Sequence, residues 1–560
     1  MKKTEKKGLI LEDYIDEFSY DNKRFGTFVS FNRIAFIFFV FLIISAIFSS
    51  KAIYLGAKKV EEKKIKVDKT DFRASIVDRS GNILAKTVIT TNVGINPKLV
   101  VDKKKLIINL KLIFQNKNFK EIEKKIERKK FFYIQKKINQ NELDKIVLLG
   151  DKSLIYEEKI SRIYPNKNLF SHIIGQIDDN NNGISGIEKY YDFELRKNNE
   201  PLQLSVDIYL QHLIRKELIK AKEFFKFLGS ASILMDINSG EILSMISLPD
   251  FDLNKRKNIS DINYINRTTK GVYEFGSVFK TFTFAAGINE NIIEPETKFL
   301  NLEKKLPCGK NIIREYDEKI PSDLTAEEIL IRSGNIGSVR VAQKIGIEKY
   351  KSFLEKIGIL NKIEFDIEEV GEPIPFRWGK CKLATASFGH GITTTPLQLA
   401  KGYSIISNGG YEISPTLIKK NVVNNLTKKR ILSEGVSEKV NIALRKIVTD
   451  KEGTAEFANV PGYEVAGKTG TAQKSTLGGY SSAKVNTFAA IFPTSRPKYV
   501  LIVLLDEPKP NKEYVYNYRD GRSPYKGNWR NTAGWTSVEI AGKIIEKVGP
   551  ILATKYIELN

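Results

Sequence analysis

Residues Tyr273 to Gly287 read YEFGSVFKTFTFAAG. After Gly276 the run is apolar and unbroken, which predicts a buried helix starting near Ser277. Positions i and i+3 share a helix face, so Ser277 and Lys280 stand side by side on its first turn. A serine hydroxyl is a weak nucleophile until a base takes its proton. A lysine in apolar surroundings has a lowered pKa and can be that base. The helix N-terminus also favours negative charge developing on a bound carbonyl oxygen. The spacing alone is not specific, because Ser481/Lys484, Ser495/Lys498 and Ser523/Lys526 repeat it in Gly/Pro-rich or turn-like surroundings. Context singles out Ser277.

Two further motifs lie downstream. Ser333-Gly334-Asn335 sits between two helical patterns. The first opens at Thr325 with Glu328 three residues on, a capping-box signature; the second runs through IGSVRVAQKIG. A loop there can aim a hydroxyl and an amide into a cleft, one to relay a proton and the other to hold a substrate carbonyl. The same tripeptide also reads as a plain helix C-cap with Gly334 at the turn, and Ser80-Gly81-Asn82 repeats it elsewhere. Lys468-Thr469-Gly470, continued by Thr471 in YEVAGKTGTAQ, follows a short β-like run. A strand at a cleft edge offers backbone groups to an extended peptide. Gly470 removes the side chain that would block close approach. Lys468 can attract a carboxylate, and Thr469 and Thr471 offer it hydroxyls. The GxxxxGK spacing of a phosphate-binding loop is absent.

Working outward, ASILMDINSGEILSMISLP (Ala231 to Pro249) reads as strand, turn, strand. Strands return near Tyr463, at Thr487 to Phe492 and at Tyr499 to Leu505, and the last helical pattern runs from Thr536 to about Val548, before Gly549-Pro550. Strands on both sides of a helical block imply an α+β domain with helices packed on an antiparallel sheet. Upstream, IVDRSGNILA (Ile76 to Ala85) reads as a hairpin, and the lysines between Lys103 and Lys145 fall on solvated helix faces. That region is a small α+β module. Ile34 to Ser50, IAFIFFVFLIISAIFSS, is uncharged, and AIYLGA extends it past Lys51 to Ala57. It is long enough to span a bilayer with Lys51 snorkelling, and it reads as an uncleaved signal anchor. The predicted organisation is a cytoplasmic tail (1–33), a transmembrane anchor (34–57), an N-terminal pedestal (58–203), a catalytic domain (204–550) and a C-terminal tail (551–560). Basic residues flank both ends of the span, so charge orients it weakly, and the large remainder crosses regardless.

The 560 residues are 42% hydrophobic and carry a formal net charge of +24, which allows more than one domain with a large core. A basic surface suits an anionic membrane face or an anionic polymer. No zinc-ligand spacing, RNP-type aromatic motif or isolated basic arm points to nucleic acid. Cys308 and Cys381 form no CxxC, and the sequence leaves their pairing open. His172, His212 and His390 are scattered, which argues against a histidine base.

The three motifs, in this order, resemble the SxxK, SDN and KTG set of the penicillin-recognising serine transpeptidase and β-lactamase superfamily. IVDRSGNILA, RIYPN (Arg162 to Asn166) with HIIGQ, and GISGIEKYYD (Gly183 to Asp192) resemble the N-terminal module of class B penicillin-binding proteins. SVDIYLQ (Ser205 to Gln211), MDINSGEILSMISLPDFDLN, FGHGITTTPLQLA (Phe388 to Ala400) and NGG at Asn408 resemble their catalytic domain. IFPTSRPKYVLIVLLDEP and NTAGW (Asn531 to Trp535) are similar to the division-specific, FtsI type. Two departures stand out: Arg73-Ala74-Ser75 replaces a more usual Arg-Gly, and Phe275 stands where Pro is frequent. Neither touches the chemistry.

The resemblance implies a D,D-transpeptidase whose substrate is a peptidoglycan stem peptide ending in D-Ala-D-Ala. Its carboxylate would sit near Lys468, Thr469 and Thr471, beside Gly470. Lys280 would deprotonate Ser277, backbone N–H groups of Ser277 and Thr471 would form the oxyanion hole, and Ser333 and Lys468 would relay the proton. Asn335 would hold substrate. A neighbouring stem's amine would resolve the acyl-enzyme, and β-lactams would acylate Ser277. The resemblance implies no metal and no organic cofactor. Its partners would be a polytopic glycan polymerase and other division proteins, at the bacterial cytoplasmic membrane with the catalytic domain outside. The alternatives are an elongation-specific enzyme of the same class, a D,D-carboxypeptidase or β-lactamase, and an inactive or β-lactam-sensing scaffold.

Overall fold

The apolar run near the N-terminus forms one helix, α1 (Phe31–Ala57), of 27 residues. At 1.5 Å per residue it is roughly 40 Å long, more than the ~30 Å hydrocarbon thickness of a bilayer. Phe36, Phe38, Phe39, Phe41 and Phe48 on it are exposed. The computed structural model describes residues 31–57, 72–255, 261–309, 311–420, 429–476, 479–527 and 530–555. Most of the predicted tail 1–33, the start of the pedestal at 58–71 and the last residues of 551–560 lie outside them. The chain forms two compact units, one ending at Val67 and the other beginning at Asp68.

In the second unit, the predicted first hairpin is β1 (Ile76–Val77) and β2 (Ile83–Ile95). Asp78 closes its turn by accepting the Ser80 and Asn82 N–H groups, each at 2.8 Å. β2 pairs with β3 (Phe132–Gln135) and along its length with β4 (Leu154–Ile163), while β1 pairs in parallel with β5 (Leu202–Gln203). Three short helices, Lys103–Ile113, Phe119–Glu127 and Gln140–Val147, each start at a side-chain N-cap, Asp102, Asn118 and Asn139. Such caps satisfy N–H groups that a helix start otherwise leaves unpaired. Leu106, Leu110, Ile122, Ile126 and Ile146 bury a small core against Val93, Ile95, Ile134 and Leu154.

Three of the quoted segments meet in one buried cluster. Arg73 Nε donates to Glu188 Oε2 at 3.0 Å, and Arg162 Nε to Glu188 Oε1 at 2.7 Å. All three side chains are buried, so each charge depends on the others to offset its desolvation. The main hydrophobic core runs on from Ala74 through Tyr164, Phe170 and Ile187 to Leu552, without a break at residue 203.

The predicted strand–turn–strand is β6 (Gly229–Asp236) and β7 (Ile242–Leu248), following the helix α2 (Ile208–Phe225). Short strands β8 (Lys298–Phe299) and β11 (Leu324–Thr325) pair around a hairpin of β9 (Lys305–Cys308) and β10 (Asn311–Arg314). With β12 (Ala466–Thr476), β13 (Gly479–Phe492) and β14 (Tyr499–Asp506) the main sheet has the order β12-β13-β14-β6-β7, antiparallel throughout. β14 is buried at every position, so both faces of the sheet are covered. Helices α2 and, at the chain's end, Ser537–Lys555 cover one face; Pro396–Ser407 and Glu434–Thr449 pack on the other. This is the α+β arrangement expected, and it leaves β12 as an edge strand.

One boundary differs. The last helix continues past Pro550 to Lys555 instead of ending near Val548. Proline removes one backbone donor, but Gly549 lies against the Tyr463 ring, where an added Cβ would be 2.3 Å away, and Leu552 is buried. Tertiary packing carries the helix through the residue that would stop it in isolation.

Candidate active site

The free edge of β12 faces the start of the Ser277 helix. That helix, α3 (Phe279–Asn289), is preceded by a 3-10 turn at Gly276–Val278, so Ser277 sits on the turn leading into it. Gly276 has φ +60°, in the left-handed region. A Cβ there would lie 2.8 Å from the Thr471 carbonyl oxygen, and a Cβ on Gly470 would lie 2.2 Å from that of Phe275. Both glycines are therefore needed for strand and turn to approach this closely. The Ser277 side chain is half-buried, and its hydroxyl makes no hydrogen bond among the described residues. The rival spacing Ser481/Lys484 lies within β13, where positions three apart point to opposite faces.

The structure brings Lys280, Ser333, Asn335 and Lys468 together. Lys280 Nζ donates to Ser333 Oγ at 3.1 Å, to Asn335 Oδ1 at 2.7 Å and to the Ser333 carbonyl oxygen. Lys468 Nζ donates to Ser333 Oγ at 3.0 Å. With both lone pairs occupied by the two lysines, the Ser333 hydroxyl directs its own proton elsewhere. Burial pushes Lys280 down to about 7, and the Glu315 carboxylate limits the fall. Lys468 is pushed well below the usual lysine range by burial and then by the charge of Lys280. The two Nζ atoms meet at one hydroxyl and are no more than about 6 Å apart, so a charge on one disfavours a charge on the other.

The Ser-Gly-Asn loop differs from a plain glycine C-cap. Helix α4 (Ala326–Ile331) opens with the predicted Thr325/Glu328 capping box. It closes with Gly334 N–H on Ile329 O and Ser333 N–H on Leu330 O, a Schellman pattern. The left-handed residue is Ser333, at φ +58°, and not Gly334. Left-handed serine costs on the order of 1 kcal/mol, a strain expected at a functional position. It aims the hydroxyl between the lysines, while Asn335 begins the next helix, α5 (Asn335–Ile345).

Along β12, alternation puts Lys468 and Gly470 on the face toward the Ser277 turn and Thr469 and Thr471 on the other. Thr469 Oγ1 shares a hydrogen with Thr454 Oγ1 at 2.7 Å, and Thr471 Oγ1 accepts the Ala533 N–H at 3.0 Å. Each arrangement leaves one hydroxyl proton free to donate.

Three residues near the site carry no signal in the sequence motifs. Glu315 accepts the Asn335 and Ile336 N–H groups at 2.7 and 2.8 Å. Thr454 supports Thr469. His390 is mostly buried, is lowered by burial and then by Lys280, and contacts Phe388 and Tyr480. His172 instead holds the Asn263 carbonyl away from the motifs, and His212 is exposed. Cys308 and Cys381 form a disulfide, with Cα atoms 5.3 Å apart. A cavity of about 990 Å³ lies elsewhere, bounded by Asn238, Tyr411, Asn441, Tyr463 and Tyr499, and none of the motif residues line it.

The sequence and the fold have known counterparts. A family model of the penicillin-binding protein transpeptidase domain matches residues 230–522, and one of the penicillin-binding protein dimerisation domain matches residues 70–217. The chain belongs to the penicillin-binding protein transpeptidase family. A probable peptidoglycan D,D-transpeptidase FtsI of Caulobacter vibrioides is 31% identical, over 86% of this chain and 82% of its own. Peptidoglycan D,D-transpeptidase FtsI of Buchnera aphidicola subsp. Baizongia pistaciae is 30% identical, over 79% and 83%. Stage V sporulation protein D of Bacillus subtilis is 29% identical, over 78% and 74%. Penicillin-binding protein 3 of Mycobacterium tuberculosis, solved with aztreonam, shares the fold with a TM-score of 0.64 at 22% identity, covering 87% of this chain and 97% of that one. The chain is thus a class B, FtsI-type member of the family and a serine-type peptidoglycan D,D-transpeptidase. Peptidoglycan is its substrate class and β-lactams are its inhibitor class.

Proposed function

We propose that Ser277 is the nucleophile of this transpeptidase and Lys280 its base. Neutral Lys280 takes the Ser277 proton as the Ser277 Oγ–carbon bond forms at the penultimate D-Ala carbonyl. The oxyanion lies against the Ser277 and Thr471 N–H groups, between turn and strand edge. As the carbonyl–nitrogen bond breaks, a proton reaches the departing D-Ala amine through Ser333 and Lys468. Asn335 orients Lys280 and faces the substrate; the terminal carboxylate lies along the edge of β12, held by the Thr469 and Thr471 hydroxyls and drawn by Lys468 from the other face, while Gly470 lets the Ser277 turn close on the strand beside it. An amine of a second stem then attacks the acyl carbon; as its bond to carbon forms and the Ser277 Oγ–carbon bond breaks, the amine proton passes through Lys280 to Ser277 Oγ, leaving the cross-link and the free enzyme. The observation that carries this reading is the Ser333 hydroxyl held by both Lys280 and Lys468.

In the same reading α1 anchors the protein once in the bacterial cytoplasmic membrane, with the N-terminus cytoplasmic and the catalytic domain outside. Residues 58–203 serve as a pedestal and docking module and 204–550 as the catalytic domain. The partners are a polytopic glycan polymerase and other division proteins, and the setting is septal wall synthesis. The length and exposure of α1 and the match of the first module to a dimerisation domain support this.

The test is labelling with a fluorescent penicillin, of wild type and of Ser277→Ala, with the site mapped by peptide mass. Label on Ser277 that disappears in the variant is expected. Label on another residue, or none on folded wild type, overturns the assignment.

A further inference from the structure

Among the described residues, Asn335 is the one neutral side chain that holds Lys280 besides Ser333, and nothing in the Ser-Gly-Asn motif itself holds Asn335. Its partners come from the end of β10. Asn335 Nδ2 donates to the Arg314 carbonyl oxygen at 2.8 Å, which turns Oδ1 toward Lys280 Nζ. The Asn335 backbone N–H donates to Glu315 Oε2 at 2.7 Å, and the Ile336 N–H to Glu315 Oε1 at 2.8 Å. The N-cap of α5 is Gly334, which has no side chain to satisfy those groups. Glu315 thus acts as a cap supplied from outside the helix, and its charge suits the helix N-terminus. The hairpin that delivers it is tied to the helix α6 (Lys380–Ala386) by the Cys308–Cys381 disulfide.

We propose that Glu315 is a positioning residue for acylation: its carboxylate fixes Asn335 against Lys280 and brings a negative charge to that side of the site. This rests on the reading of Lys280 as the base. Among the described residues, the charged or titratable groups that interact with Lys280 are Glu315 from the hairpin, Lys468 from β12 and His390 from the loop after α6. Burial lowers both Lys468 and His390, which leaves Glu315 as the partner that favours protonated Lys280. Removing its charge makes Lys280 give up its proton more readily, so the rise of acylation rate with pH moves to lower pH.

The experiment is the rate of acylation of the full-length protein by a fluorescent penicillin as a function of pH. Wild type, Glu315→Gln and Glu315→Asp are compared, with melting temperature as a control. In Glu315→Gln the acid limb moves down by about one pH unit. Its plateau falls about ten-fold, because a glutamine amide accepts only one of the two N–H groups. Glu315→Asp keeps the charge and holds the limb near its wild-type position. A labelled wild type with an unshifted Glu315→Gln limb overturns this proposal alone, since a purely structural role lowers the rate without moving the limb. An unlabelled wild type overturns the reading of the site and this proposal with it.

Discussion

Replacing Ser333 by alanine and, separately, by glycine divides its structural role from its chemical one. The hydroxyl accepts one N–H from each lysine, at 3.1 Å from Lys280 and 3.0 Å from Lys468. Lys280 retains Asn335 Oδ1 and the Ser333 carbonyl oxygen, so its loss is partial. Lys468 retains only long contacts to Thr469, at 3.4 and 3.5 Å. A buried hydrogen bond to a charged group contributes about 1.5–3 kcal/mol, and Ser333→Ala is expected to destabilise by about 2 kcal/mol. Glycine removes the same hydroxyl but relieves the left-handed strain at φ +58°, worth on the order of 1 kcal/mol. Ser333→Gly should therefore be more stable than Ser333→Ala by about that amount. Both lose the proton path alike, with acylation slowed by roughly 10²–10⁴-fold. Denaturant melts give the first comparison and stopped-flow acylation by a penicillin the second. If either variant acylates within about three-fold of wild type while the stability order holds, Ser333 is not on the proton path and the relay argument fails.

Gly470→Ala sets a Cβ 2.2 Å from the Phe275 carbonyl oxygen, a backbone atom that cannot yield without moving the Ser277 turn. Acylation should fall about 100-fold or more with the fold intact, and a normal rate would show that strand and turn need not touch. Acylation should rise with pH through about 7, because only neutral Lys280 accepts the Ser277 proton. A rate independent of pH there would remove Lys280 as the base. The same lysine affects stability. Its folded value lies below the roughly 10.4 of an unfolded lysine, so the unfolded chain binds more protons between the two, and the burial cost of Lys280 fades as pH rises through that window. Replacing Cys308 and Cys381 by serine opens a loop of sequence separation 73 and should cost up to about 4 kcal/mol on the chain-entropy account. Melting with and without reductant measures it, and an unchanged melt would show that the bond contributes nothing to the fold.

Much of the fold follows from local pattern. The hairpin signals at Ile76 to Ala85 and Ala231 to Pro249 became β1–β2 and β6–β7, because turn chemistry and alternation act over a few residues. The Thr325/Glu328 capping box formed for the same reason. Pro550 misled the reading because its local cost is outweighed by burial of Leu552 and by the fit of Gly549 to Tyr463. That fit joins residues far apart in sequence.

The site divides along the same line. Ser277 and Lys280 are three residues apart, on the turn leading into α3 and on its first turn, so their spacing is legible in the sequence. That Ser333 would be the left-handed residue depends on two lysines meeting its hydroxyl, one from α3 and one from β12, and no local preference encodes this. Glu315 lies 20 residues from the amide it caps, and Thr454 lies 15 from its partner Thr469. Neither fits a short motif, since each position is set by where the β9–β10 hairpin and the edge of the sheet come to rest. The proposed nucleophile and base are written locally. The groups that hold the geometry around them arrive through tertiary contacts, so a sequence motif can point to candidate reacting groups without naming what keeps them in place.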